Sequence, residues 1–199
     1  MLHNALVLAA GGSTRLGRPK QLLMRDGETL VHRAVRLALA TGPARLLVMT
    51  GGNAEVVSEA IADLPAQVVF NPEWQEGLAS SLRLAAAIFE GDKAAVLILG
   101  CDQPALQQDH LQRLLAGAMA STSGCAATVH AGTVGIPVVV NSALLQDARA
   151  LQGDKGLRDL LRQLPAGSLY SLQAPELQFD LDTQDDVEEA MRKGGIDRH

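Results

Sequence analysis

Aromatic residues are almost missing: three Phe, one Tyr and one Trp make up 3% of 199 residues. The core must therefore be aliphatic, built from Leu, Val, Ile and Ala rather than from stacked rings. Cysteine is equally scarce, and the pair Cys101 and Cys125 makes neither a disulfide framework nor a zinc motif. Positive charge is not in excess. A net charge of −5 argues against a general nucleic-acid binder and against a protein that binds anionic membranes. No apolar run approaches the length of a membrane span. The short run Ala5 to Ala10 has no basic region before it, as a signal peptide would. These absences point to a cytoplasmic protein in a reducing compartment, with neither nucleic acid nor membrane as partner. The length suits one domain over residues 1–193, and the tail 194–199 is expected to fray.

The positive charge that is present is gathered in one place. Leu8-Ala9-Ala10-Gly11-Gly12-Ser13-Thr14-Arg15-Leu16-Gly17-Arg18-Pro19-Lys20 carries three glycines, two hydroxyls and three cations, directly after a short apolar strand. Backbone N–H groups and cations concentrated in one loop suit a polyphosphate. A P-loop is excluded, because Arg18-Pro19 follows Gly17 where Lys and Ser or Thr are needed. No frame of the loop supplies G-x-G-x-x-G. A plain strand-to-helix turn could hold the glycines, but it does not call for Arg15 and Lys20.

Downstream, apolar strands alternate with helical patterns. Strands are expected at Leu46–Thr50, Gln67–Phe70, Ala94–Leu99 and Cys125–Val129, with another entered through Val134–Val140. Thr29 can cap a helix through Leu30 and Leu37, and Leu78, Leu82, Ala85 and Phe89 share a helix face. The alternation predicts an α/β fold: a doubly wound, mostly parallel, Rossmann-like sheet with helices on both faces. Ligands bind such sheets at the carboxyl ends of strands, and the loops there carry unusual residues. Asp102, just past an apolar strand, can hold a cation over a phosphate or cap a turn. Ser80 and Ser81, after Asn71, offer hydroxyls and free N–H groups to a base or phosphate. Asp154 can cap a helix while Lys155 and Arg158 flank an anion. Asp180 and Asp182 alternate along an extended segment and point the same way. Thr183 and Asp186 read as a capping box.

The first loop resembles the signature of the MobA-like nucleotidyltransferases: Leu-Ala-Ala-Gly, then Ser, Arg, Gly and Lys at set spacing. The continuation Pro19–Leu23 and the segments around Asn71-Pro72 and Gly153-Asp154 are most similar to its molybdopterin cytidylyltransferase branch, while Cys101-Asp102-Gln103-Pro104 and the closing Asp180–Asp186 resemble motifs of the family as a whole. The resemblance implies transfer of a cytidylyl group from CTP to a molybdopterin phosphate, with Mg²⁺ as cofactor and pyrophosphate as product. It implies Arg15, Lys20 and Asp102 as catalytic groups. Leu8, Ala9, Ala10, Gly11, Gly12, Ser13, Gly17, Asn71, Ser80 and Ser81 would hold the nucleotide, and Asp102 with Asp180 or Asp182 the metal. Gly135, Pro137, Lys155 and Arg158 would face the acceptor. The family usually has His where this chain has Ile136, which loosens the acceptor assignment. A molybdoenzyme or its maturation chaperone is the implied protein partner. Transfer of another base, or to another acceptor such as a sugar phosphate, is the alternative within this class. Outside it stands a non-catalytic carrier of molybdenum cofactor, which has no need of a metal site.

Overall fold

The structure, a computed structural model, describes residues 2–130, 132–178 and 181–198. Its centre is a seven-stranded sheet. β1 (His3–Ala9) lies between β4 (Leu46–Thr50) and β6 (Ala95–Gly100), parallel to both. β5 (Gln67–Phe70) forms the edge beyond β4. On the other side, β8 (Thr133–Val140) runs antiparallel to β6, followed by β7 (Ala126–His130) and β9 (Tyr170–Gln173), so the spatial order is β5-β4-β1-β6-β8-β7-β9. The expected mostly parallel sheet is present, with β8 the one strand reversed against both neighbours. A two-stranded ribbon, β2 (Met24–Arg25) and β3 (Glu28–Thr29), turns at Asp26-Gly27, both at positive φ.

Strand periodicity divides the core. Ala5, Val7 and Ala9 of β1 face α1 (Leu30–Leu39), α2 (Ala54–Ala60) and α4 (Gln108–Ala120). Leu6 faces α3 (Leu78–Ile88), α5 (Ser142–Asp147) and α6 (Arg158–Arg162) on the opposite side. Because successive side chains alternate, one strand feeds two aliphatic layers. Thr29 caps α1 by accepting the His32 N–H, and Asn141 caps α5 by accepting the Leu144 N–H. Glu28, beside Thr29, accepts from His32 and Arg36 along α1.

The chain first winds outward from β1 through β4 to β5, then crosses back to β6 on the other side of β1. The carboxyl ends of β1 and β6 therefore flank the point where the winding reverses, the natural crevice of such sheets.

A third cluster lies outside both layers. Leu16 and Leu23 flank the first loop and pack with Leu30, Leu181 and Ile196, together with Val187 and Ala190 of α7 (Gln184–Arg192). Within the tail segment, Ile196 joins this cluster. Ile196 is 4% exposed, the Asp197 N–H donates to Met24, and the Asp197 carboxylate accepts from the N–H groups of Asp26 and Gly27. No helix among the described residues is long and apolar enough to cross a membrane.

Two outcomes follow. Ile196→Ala should cost about 2 kcal/mol in urea unfolding; a loss below about 0.5 kcal/mol would mean that the tail does not pack in solution. Glu28→Gln should have a pH-dependent cost. Hydrogen bonds from Arg36 and His32 outweigh burial and hold the Glu28 carboxyl down at about 2. Its contribution is thus present above the ordinary carboxyl range and lost as pH falls towards 2. For His32, burial opposes the shift, but Glu28 and Asp63 raise it above its ordinary value. That contribution is present at low pH and fades as pH rises through the raised value. The difference between wild type and variant should peak near about pH 5–6, where both groups are charged, and a flat profile would rule out the linkage.

Candidate active site

The loop after β1 is held by its own side chains. Gln21 is buried, and its amide donates to the carbonyls of Ala9 (3.2 Å) and Gly11 (2.7 Å). Ser13 Oγ accepts the Lys20 N–H at 3.0 Å and donates to Gln21 at 3.3 Å. Ser13 itself sits at φ 52°, a left-handed conformation that costs a non-glycine residue energy. The Ser13 and Gln21 bonds hold it there, and Lys20 is thereby aimed back over the end of the sheet.

Lys20 meets two carboxylates. Its Nζ lies 2.7 Å from Asp102 Oδ2 and 2.9 Å from Asp182 Oδ1. Arg15 Nη2 reaches the other Asp182 oxygen at 3.3 Å. Exposure falls along this chain, from 71% for the Arg15 side chain and 44% for Asp182 to 21% for Asp102 and 17% for Lys20. Burial by itself would lower the Lys20 pKa, yet the two carboxylates raise it well above the ordinary lysine value. The ammonium is therefore permanently charged. Asp102 owes its position partly to Gly100, where a Cβ would lie 2.7 Å from Asp102 Oδ1. Gln103 fixes the same loop from below, its amide donating to the carbonyls of Ile136 and Leu177. Cys101 is buried, and burial, with the Asp102 charge adding to it, pushes its thiol up to about 12, so it stays protonated and poorly nucleophilic.

A cavity of about 410 Å³ opens over this centre, lined by Leu8–Gly12, Lys20, Gln21, Trp74, Ser81, Cys101 and Asp102 among others. Trp74 forms one wall. Its ring lies so close to Gly12 and Gly52 that a Cβ on either would come within 2.8 Å of it. Asn71 holds the approach to α3. It is buried, and its amide donates to the hydroxyls of Ser80 (2.8 Å) and Ser81 (3.1 Å).

A second cavity of about 430 Å³ adjoins the first, and the two share Leu78, Ile136 and Asp154 as lining. Its other walls include Val134, Gly135 and Leu157, with His130, Lys155 and Arg158 bringing polar groups.

The residues expected at the site fall into two groups. Leu8, Ala9, Ala10, Gly11, Gly12, Lys20, Ser81 and Asp102 line the first cavity, with Arg15 and Asp182 joined to it through Lys20. Gly135, Lys155 and Arg158 line the second. Ser13, Gly17, Asn71, Ser80 and Pro137 line neither. Ser13, Asn71 and Ser80 spend their polar groups on internal bonds, Ser80 donating to the Gly77 carbonyl from both its N–H and its hydroxyl. Pro137 is buried in β8, where its carbonyl accepts from Thr128. Asp154 does not cap α6, which starts at Arg158 after Leu157. Its carboxylate lies instead against Gly77, at φ 95° the entry to α3, where the two cavities meet. Asp180 lies outside the described residues. Gln21, Gly100 and Gln103 were missed. A glutamine directly after Lys20 was the available signal for the first and a glycine two residues before Asp102 for the second, whereas Gln103 acts through the distant Ile136 and Leu177 carbonyls.

Lys20→Met should lower stability by about 1–3 kcal/mol in urea unfolding, since Asp102 then loses its cation and faces Asp182, which keeps only the exposed Arg15. Adding Asp182→Asn should recover part of that loss. Additive losses in the double variant would mean that the three groups are not coupled.

Comparison with known proteins gives this geometry a lineage. Residues 5–168 match the model of the MobA-like NTP transferase domain. The molybdenum cofactor cytidylyltransferase of Escherichia coli is 24% identical over 186 residues, covering 92% of each chain. The bifunctional protein GlmU of Thermus thermophilus is 34% identical over 116 residues, 57% of this chain. Only 25% of that GlmU is covered, so the chain spans about a quarter of its length. The structure of Rv0371c from Mycobacterium tuberculosis in complex with manganese superposes with a TM-score of 0.77 at 26% identity, over 96% of this chain and 99% of that one. A glycine-rich loop, a lysine held by two carboxylates and a paired cavity at the switch point thus accompany a family match over most of the chain, and this protein belongs to the MobA-like nucleotidyltransferases.

Proposed function

We propose that the chain transfers a cytidylyl group from CTP to the phosphate of a molybdopterin-type acceptor and releases pyrophosphate. The observation that carries this reading is the pair of adjoining cavities, one over Lys20 and Asp102 and one beside them, meeting at Leu78, Ile136 and Asp154. Two substrates can meet there without either blocking the other. An acceptor phosphate oxygen attacks the α-phosphorus of CTP, the new P–O bond forms, and the bond to pyrophosphate breaks in line. Such transfer needs positioning and charge neutralisation more than covalent help. Lys20 and Arg15 offset charge on the α-phosphate and the leaving pyrophosphate, and the N–H groups of Ala10–Gly12 supply fixed donors. Asp154, at the junction, orients the incoming acceptor.

The donor set fits a divalent ion. Asp102 and Asp182 already converge on one cation, Lys20. Among the described residues no three acidic, His or Cys side chains gather around a common point. Magnesium takes one or two carboxylates and completes its shell with phosphates and water, so Asp102 and Asp182 would hold it. When bound, the ion supplies Lewis-acid neutralisation of phosphate charge. The manganese in the Rv0371c complex supports an ion of this class.

The choice of CTP draws support from the Escherichia coli relative and from Ala10, which stands where guanylyl enzymes of the family usually carry Gly. A molybdoenzyme or its maturation chaperone is the proposed recipient of the product. A carrier without catalysis would leave the Lys20, Asp102 and Asp182 cluster unused.

With labelled CTP, Mg²⁺ and molybdopterin, pyrophosphate should be released. Asp102→Ala and Lys20→Met should each lose about 100-fold or more in rate, as removal of preorganised electrostatic groups does. No Mg²⁺-dependent release from wild type would refute the reading, and undiminished cofactor delivery by Asp102→Ala would establish a carrier. Trp74, the single tryptophan, gives an independent measure. Its fluorescence should respond to CTP with Mg²⁺ at lower concentration than to GTP or ATP, and a lower midpoint for GTP would reassign the base.

A further inference from the structure

We propose that His130 is an acceptor-binding residue, holding an anionic group of the acceptor together with Lys155 and Arg158. The proposal rests on the transferase reading of the adjoining cavity.

His130 ends β7, and its half-buried imidazole lines the second cavity. The ring is laid on the neighbouring strand: a Cβ on Gly135 would lie 2.9 Å from His130 Nε2 and 3.6 Å from Cε1. Gly135 is not at positive φ, so no backbone requirement calls for glycine there. What the missing Cβ provides is room for the imidazole. Neither ring nitrogen has a hydrogen-bond partner among the described residues. A histidine serving only the fold would spend at least one of them, as His110 does on the Gln107 N–H and Glu176.

Its neighbours make the site suited to an anion. Arg158 Nε donates to the Val134 carbonyl at 3.2 Å, which ties the guanidinium to the β7–β8 hairpin while its terminal nitrogens keep their donors. The Lys155 ammonium lines the same cavity and is unpaired among the described residues. Of the acidic groups there, Asp159 is 4.0 Å from Arg162 and answers that charge. Asp154 stands at the far side, where the cavities meet. Three donors against one unanswered carboxylate favour a phosphate monoester or a carboxylate. The aliphatic walls of Leu78, Val134 and Leu157 suit an apolar or flat body attached to it.

The test uses the full chain with histidine labelled at ¹³Cε1, the first cavity filled with α,β-methylene CTP and Mg²⁺, and phenyl phosphate as probe. The His130 resonance, assigned by its loss in His130→Ala, should move on titration. The Kd for phenyl phosphate should rise about tenfold in His130→Ala, and His130→Gln, which keeps a donor, should recover part of it. Gly135→Ala should weaken binding to a similar degree in wild type and add nothing in the His130→Ala background, because it acts by displacing the ring. In turnover, the acceptor KM should rise with the CTP KM unchanged. An unmoved His130 resonance at saturating phenyl phosphate would overturn the proposal. So would a Kd within twofold of wild type in His130→Ala, or a Gly135→Ala effect that persists without His130. Phenyl phosphate that binds through His130 in a chain releasing no pyrophosphate from CTP and molybdopterin would refute the transferase reading and leave the anion site standing.

Discussion

A single ammonium, that of Lys20, sits between two carboxylates, Asp102 from the middle of the chain and Asp182 from near its end. It is mostly withdrawn from water, where an unpaired charge is costly. The structure spends a good deal of its local order on keeping the charge compensated. Gln21 and Ser13 fix the loop that presents Lys20, and Gly100 lets the Asp102 carboxylate fold back towards it. A separate aliphatic cluster docks the segment that carries Asp182. That arrangement also prepares the site for phosphates. A cation already withdrawn from water and aimed, as Lys20 is, needs little reorganisation when an anion arrives.

The fold makes this economical. Reversal of the winding between β1 and β6 leaves their carboxyl ends side by side without a crossing connection, so the glycine-rich loop and Asp102 share a crevice. The antiparallel β8 next to β6 then brings Ile136 and Gly135 alongside, and the hairpin to β7 adds His130. The carboxyl end of the sheet's central strands at a switch point thus yields two cavities with a common boundary, which is what a two-substrate transfer requires.

Local signals carried much of this. Thr29 and the Thr183–Asp186 box cap the helices their positions announce, since a cap depends on residues three apart. Leu46–Thr50 and Gln67–Phe70 are strands at the residues their apolar runs mark. What the pattern did not carry is of one kind. Asn71 and Ser80, which it sets toward a nucleotide, also bond each other, a pairing made only once α3 folds back. Asp154 was read as a cap, and the turn instead delivers it to Gly77, 77 residues earlier.

The sequence by itself determined the kind of chemistry. Glycines, hydroxyls and cations crowd into Leu8–Lys20 by their own spacing, the composition a phosphate-binding loop needs, and alternating apolar patterns make a mostly parallel sheet to carry it. Only the tertiary structure decided which distant groups complete that loop. Asp182 reaches Lys20 because Leu181, Val187 and Ile196 bury themselves against Leu16 and Leu23. His130 comes to face the second cavity because a glycine on the adjacent strand leaves its ring a place to lie. Both depend on burial and register between segments far apart in the chain, and a linear pattern carries no record of which apolar faces will meet.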